Sequence, residues 1–327
     1  MLTGMIGLGN LGTAVGNLIA GNGHEVIGWE YNPQVVDEIN QAHTNSRYLP
    51  GIALDPRLKA TSNLQEVIGE PPVVFIALPS VFIQSTLGKV REQVSARAIL
   101  VNMAKGIDRE SGLTSFETLH CMFPGNPAIM LSGPSIANEF ALGMPTVVVL
   151  AGRNRNDLLT VSHLLDSPTF RTRFSDDEIG VELGGVLKNI YAIGLGMFDG
   201  QGIHSVNFRA AYLTIASEEM ARIGVGLGAK IETFLYLSGI GDLLATSMSE
   251  HSHNRRMGEL LAQGLTLDEI QQKMGVVPEG YNTLRSMLYL AEKLHISMPL
   301  AKGLWDVAHG RISPKNFINS FIRDFVN

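Results

Sequence analysis

Lys188 is the side chain that most needs a reason for being where it is. It stands in the middle of "ELGGVLKNIYAIG", residues 182–194, a helical stretch with an otherwise largely apolar surround. A buried ammonium is costly unless it is paired or gives up its proton, and the ordinary alternative is a lysine that carries its head out to water. Its neighbours at three and four helical positions are Gly184, Gly185, Tyr191 and Ala192, which share its face. A glycine inside a helix costs about 1 kcal/mol relative to alanine. Two in succession therefore predict a close approach to the backbone, by another helix or by a ligand. A lysine above such a groove is placed to act on that ligand.

A second set of residues reads as a phosphate cradle. Gly7, Gly9 and Gly12 form G-x-G-x-x-G in "GLGNLG", directly after a strand-like run and at the opening of a helical pattern. In that context the glycines permit a tight turn and bring a dinucleotide pyrophosphate to the helix N-terminus. An ordinary glycine-rich turn is the alternative. The next strand ends at Glu30, about 20 residues past the loop, where dinucleotide-binding sheets place an acid. A carboxylate there accepts hydrogen bonds from the ribose hydroxyls of NAD and repels the extra phosphate of NADP. The expected cofactor is thus NAD, with NADP disfavoured; a solvent-facing glutamate is the alternative.

Other candidates sit where strands hand over to loops, which is where open α/β sheets bind ligands. "ILVNMAKG" delivers Lys105 straight after a strand, to hold a phosphate or polarise a substrate oxygen, or simply to sit in water. "IMLSGPSIANE" delivers Gly133 and Ser135 ahead of a helix expected near Ile136, so that Ser135 could instead be an N-cap. Asp242, in "GIGDLLATS", could likewise cap a helix beginning at Leu243. Ser252, His253, Asn254 and Arg255 form a polar, basic cluster able to hold a phosphate, or a solvated helix start.

The elements that must position these groups follow from the patterning. "TGMIGLG", "HEVIGWE", "VVFIALP", "AILVNMA", "AIMLSG", "TVVVLAG" and "TFRTRFS" read as short strands separated by helices, "NDLLTVSHLLD" among them. That alternation predicts an α/β fold: a doubly wound, mostly parallel sheet covered on both faces. Beyond about residue 180 the β-branched runs stop. "RAAYLTIASEEMARIGVGLG", "AKIETFLYLSG" and "NRRMGELLAQG" carry helical spacing and glycine stops. The expected organisation is a dinucleotide-binding domain over 1–178 and an all-helical substrate-binding and catalytic domain over 179–327.

Composition bounds the function. The 327 residues are 45% hydrophobic and 17% charged, enough to build substantial cores. A net charge of −6 argues against a dedicated nucleic-acid binder. The single cysteine, Cys121, allows no intrachain disulfide, and no metal cluster is expected. The opening "MLTGMIGLGN" lacks the pattern of a secretory signal, and the longest apolar run, "VVFIALPSVFI", is short and holds Pro79 and Ser80. A soluble, cytoplasmic protein with no membrane insertion is expected.

Taken in order, "GLGNLGTAV", "NGHEV", "AKGI", "LSGPSIANE", "GVELGGVLKNIYAIG", "GIGDLLATS", "SHNRRMG" and "VVPEGYNT" resemble the bacterial NAD(P)-dependent glycerol-3-phosphate dehydrogenases over essentially the whole chain. The resemblance implies a Rossmann domain followed by a helical domain, with the active site in the cleft between them. It implies that Lys188 is the catalytic lysine, exchanging a proton with the C2 oxygen of glycerol 3-phosphate or dihydroxyacetone phosphate. Such a lysine needs its proton loosened by burial and a neighbouring cation, and Lys105, touching both cofactor and substrate, would be that cation. Gly133, Ser135, Asp242, Ser252 and Asn254 match substrate positions. Asn10, Leu11, Tyr31, Ala137, Val277 and Glu279 match cofactor positions beside Gly7, Gly9, Gly12 and Glu30. Subunits of the family pair, which implies a homodimer, and the product would supply glycerophospholipid synthesis.

Three positions depart from the family pattern. His253 stands where an arginine usually grips the substrate phosphate, and a largely neutral imidazole cannot offer the same fork. Arg255 could substitute, although helical geometry turns it about 200 degrees from that position. Glu30 replaces a commonly small or neutral residue, and Pro278 precedes Glu279 in place of valine. These departures leave open a related NAD-dependent dehydrogenase with a different small hydroxy substrate, or a nucleotide-binding protein without turnover.

Overall fold

The computed structural model describes residues 1–108, 111–249, 252–275 and 277–324; Val276 of "VVPEGYNT" and the pair 250–251 before Ser252 lie outside the described residues. The chain divides into two compact units, Met1–Glu178 and Ile179–Asn327.

The first unit alternates strands and helices: β1 (Leu2–Ile6), α1 (Asn10–Gly21), β2 (Glu25–Trp29), α2 (Pro33–Ala42), β3 (Leu58–Thr61), α3 (Leu64–Ile68), β4 (Val73–Ile76), α4 (Ser80–Leu87), β5 (Ile99–Asn102), α5 (Ser115–Met122), β6 (Ala128–Ser132), α6 (Ala137–Ala141), β7 (Thr146–Ala151), α7 (Arg155–Leu165) and β8 (Phe170–Ser175). The sheet runs β3-β2-β1-β4-β5-β6-β7-β8. Every neighbouring pair is parallel except β6 and β7. Alternate residues of the central strands feed opposite layers. Val73 and Phe75 of β4 join one apolar cluster, with Met5, Ile99 and Val101. Val74 and Ile76 join the other, with Ile6 and Leu100. That is why β4 and β5 are apolar at nearly every position rather than alternating. Strand order reverses between β1 and β4, and at such a switch point the helices leave on opposite faces and open a crevice beyond the strand ends.

The second unit is helical: α8 (Glu178–Gly200), α9 (Val206–Gly226), α10 (Ile231–Phe234), α11 (Asp242–Met248), α12 (His253–Ala262), α13 (Leu267–Met274), α14 (Glu279–Lys293), α15 (Pro299–Ala308) and α16 (Pro314–Asp324). α8 is the element the rest is built around. Its residues from Gly180 to Phe198 are buried with few exceptions, as expected of a helix apolar all round. Between α10 and α11 the backbone makes one wide π-type turn, Leu237–Gly241, so "AKIETFLYLSG" is a four-residue helix and a widened turn rather than the single helix its spacing predicts. No helix among the described residues is long and apolar enough to cross a membrane.

Candidate active site

In the first unit the glycine loop closes the crevice at the switch point. Gly7 has φ +98°, which only glycine adopts without strain. A Cβ at Gly12 would lie 1.9 Å from the Gly7 carbonyl oxygen, and one at Gly9 would meet nothing within 4 Å. The loop is therefore folded tightly on itself while its outer edge faces open space. Gly9 precedes α1 with no side-chain cap, so the first-turn amides and the helix dipole are presented to an anion. A cavity of about 580 Å³ opens there, lined by Gly7, Gly9, Trp29, Glu30, Tyr31, Tyr48, Ala77, Leu78, Pro79, Phe82 and Thr86. Burial pushes the Glu30 carboxyl above the ordinary range, opposed by the Asn32 amide and the Arg47 charge. The Tyr48 hydroxyl is pushed up to about 12 by burial, then by a hydrogen bond with Tyr31 and the Glu30 charge. This donor set fits a dinucleotide: an uncapped helix start for pyrophosphate, a carboxylate for ribose hydroxyls, and aromatic faces.

Lys105, Gly133 and Ser135 come together beyond β5 and β6. Lys105 Nζ donates to the Gly133 carbonyl at 3.3 Å, and so does the Ser135 hydroxyl at 3.0 Å. Ser135 is not the N-cap of α6; that position is Ile136, without a side-chain cap. Asn10 Nδ2 donates to Asn138 Oδ1 at 2.7 Å, which ties the start of α1 to α6, where Ala137 is buried.

In the second unit Lys188 is paired rather than snorkelling. Its side chain is 13% exposed, and Nζ lies 2.5 Å from Asp242 Oδ1. It also donates to Thr246 Oγ1 at 2.7 Å. Asp242 does not cap α11; it is the first residue of that helix, and its carboxylate, 2% exposed, is turned onto the lysine. Asp242 and Thr246 stand one helical turn apart and so share a face. The close approach forecast by the paired glycines is made at Gly184, where an added Cβ would lie 2.2 Å from the Ser238 carbonyl oxygen of the π-type turn. The neighbour is backbone, packed against α8 one turn before Lys188.

Ser252 caps α12, accepting the Arg255 amide at 3.3 Å. His253 is exposed at the first helical position. Asn254 is buried and accepts the Gly280 amide at 2.9 Å, joining the start of α12 to the start of α14, where Glu279 is the first residue; Val277 precedes it, partly buried. Arg255 is occupied elsewhere. Its Nε donates to Asp199 of α8, which Arg209 also grips, and Nη1 donates to the Ser247 and Ser249 carbonyls, each at 3.1 Å. Arg255, the substitute considered for the substrate phosphate, is held by these groups.

Models of the NAD-dependent glycerol-3-phosphate dehydrogenase N-terminus and C-terminus match residues 3–158 and 177–319. A glycerol-3-phosphate dehydrogenase [NAD(P)+] of Carboxydothermus hydrogenoformans is 38% identical over 95% of this chain and 93% of its own length. One of Staphylococcus carnosus is 39% identical over 93% and 92%. The crystal structure of glycerol-3-phosphate dehydrogenase from Coxiella burnetii superposes with a TM-score of 0.91 at 32% identity, covering 98% of both chains. The chain belongs to the NAD-dependent glycerol-3-phosphate dehydrogenase family. A ketopantoate reductase from Ralstonia eutropha, 16% identical with a TM-score of 0.63 over 97% of this chain and 99% of that one, shares the fold alone.

Within this glycerol-3-phosphate dehydrogenase fold, sequence reasoning missed two groups. Thr246 was legible as Asp242 plus four on one helix face. Tyr48 carried no such signal: it comes from a loop 17 residues past Tyr31, and only the folding of that loop brings it to the cavity.

Proposed function

We propose that the protein is an NAD-dependent sn-glycerol-3-phosphate dehydrogenase, interconverting dihydroxyacetone phosphate and glycerol 3-phosphate in the cytoplasm, as a homodimer, to supply glycerophospholipid synthesis. The observation that carries this reading is the Lys188–Asp242–Thr246 cluster in a chain whose glycine loop fits a dinucleotide. In this reading Gly7, Gly9, Asn10, Leu11 and Gly12 would hold the pyrophosphate, and Glu30 and Tyr31 the adenosine ribose. Lys105, Ala137, Val277 and Glu279 would complete the cofactor set. Lys105, Gly133, Ser135, Ser252, His253 and Asn254 bind substrate. A nicotinamide bound there would supply the hydride chemistry at C2.

The chain's own chemistry is proton transfer. Asp242 stabilises the Lys188 ammonium and, with Thr246, fixes where it sits. An ammonium so held is the form that gives a proton to the oxygen at C2 as the ketone is reduced. The reverse reaction needs Lys188 to arrive without that proton, so rising pH favours oxidation. The test is NADH oxidation by dihydroxyacetone phosphate, with NADPH in parallel. Turnover with NADH preferred is expected. Lys188→Ala should cut the rate by about 10²–10⁴ while NADH still binds; near-normal turnover in that variant refutes the assignment.

A further inference from the structure

The loop joining α2 to β3 is strapped across the start of α1. Buried Asn45 donates to the Leu8 carbonyl at 2.9 Å and to Thr13 Oγ1 at 2.8 Å. Asn10 donates to the Tyr48 carbonyl at 2.7 Å, and Glu38 accepts the Ser46 amide at 2.7 Å. The strap therefore delivers Arg47 and Tyr48 to a fixed place. Tyr48 lines the same cavity as Glu30 and Tyr31. The Arg47 guanidinium carbon lies 5.3 Å from the centroid of the Tyr48 ring, a cation–π contact. Arg47 is exposed, and its charge acts on the buried Glu30 carboxylate. Tyr48 thus carries a cation on its ring and lines the cavity that also holds the Glu30 anion, where the adenosine ribose would be read. In dinucleotide sites an acid there accepts the 2′-hydroxyl, and an arginine nearby accommodates a 2′-phosphate.

We propose that Glu30 and Arg47 together set the choice of dinucleotide: Glu30 rejects the 2′-phosphate of NADP, and Arg47, stacked on Tyr48, is the cation that holds that phosphate once the carboxylate is removed. The inference rests on the reading of this cavity as the NAD site. It makes a preference for NAD a one-residue barrier on a site already equipped for NADP.

The test is a fluorescence titration of the full chain with NADH and with NADPH, for wild type, Glu30→Gln, Arg47→Ala and the double variant. Glu30→Gln should move the ratio of the two Kd values about a hundredfold toward NADPH, by removing repulsion of the phosphate and a charged acceptor for the ribose. Arg47→Ala should take back about tenfold of that shift in the double variant. Alone, it should move the wild-type ratio toward NADH, a readout that stands even if Glu30→Gln fails to fold. Added salt should weaken NADPH more than NADH on Glu30→Gln. A Glu30→Gln shift that Arg47→Ala leaves intact, or a single Arg47→Ala with an unchanged ratio, overturns the role of Arg47. No shift in a folded Glu30→Gln overturns that of Glu30. A wild type that binds neither dinucleotide would sink the underlying reading as well, and so is distinguishable from these outcomes.

Discussion

Replacing Gly184 by alanine tests whether the packing of α8 sets the geometry of the lysine. The new Cβ would lie 2.2 Å from the Ser238 carbonyl oxygen, 2.8 Å from its carbon and 3.2 Å from the Gly239 nitrogen. Carbon–oxygen contacts settle at about 3.3 Å or more, so the turn Leu237–Gly241 must retreat by about 1 Å. Asp242 follows directly, and its carboxylate meets Lys188 at 2.5 Å. Overpacking of this kind costs about 1–3 kcal/mol, and alanine returns about 1 kcal/mol through helix propensity. The fold should survive with a modest loss of stability. Misplacing a catalytic group by about 1 Å costs on the order of a hundredfold in rate, or about 2.7 kcal/mol of barrier. The assay is steady-state NADH oxidation with dihydroxyacetone phosphate, alongside thermal melting and NADH titration. kcat should fall about a hundredfold while NADH binding, read in the other unit, stays put. Gly21→Ala is the control, because its Cβ meets nothing within 4 Å, and it should leave kcat alone. If Gly184→Ala melts lower yet turns over within about threefold of wild type, the link from backbone approach to lysine placement is wrong.

Three further outcomes are expected. Thr246→Val removes the hydroxyl that accepts from Lys188 at 2.7 Å, and should lower kcat about tenfold with little change in NADH affinity; an unchanged kcat would strip Thr246 of its role. His253→Arg should lower the KM for dihydroxyacetone phosphate about tenfold, and no gain would favour a different hydroxy substrate. Glu219 accepts the Leu300 and Ala301 amides and the Tyr191 hydroxyl, and burial pushes its carboxyl up to about 7. A raised acid pKa means the folded state binds more protons than the unfolded state between about 4.5 and 7. The contribution is full below that window and lost as pH rises through it, about 3 kcal/mol in all. Melting of wild type and Glu219→Gln at pH 5 and pH 8 should therefore show wild type losing ground to the variant as pH rises, and parallel curves would refute the assignment.

How much was legible in the sequence can be argued from particular elements. Local chemistry and period were enough for the doubly wound sheet, because strands buried on both faces read as apolar runs and the glycine loop punctuates β1 and α1. They failed at β3, whose "LKAT" is short and half polar at a sheet edge, and at "AKIETFLYLSG", where helical spacing continues through a turn that the backbone widens. The same limit governs the site. Sequence alone singled out Lys188, the glycine loop and Glu30 as candidates, each beside an ordinary alternative, since a charge in an apolar helix and glycines in tight succession carry a cost that needs a cause; Asp242 read by itself only as a possible helix cap. Sequence could not say who partners whom. The pairing of Lys188 with Asp242 and Thr246, the diversion of Arg255 to Asp199, and the arrival of Arg47 and Tyr48 beside Glu30 were decided by tertiary structure. Each joins groups distant along the chain, and a contact of that kind depends on how helices and loops pack rather than on any local preference of the residues that make it.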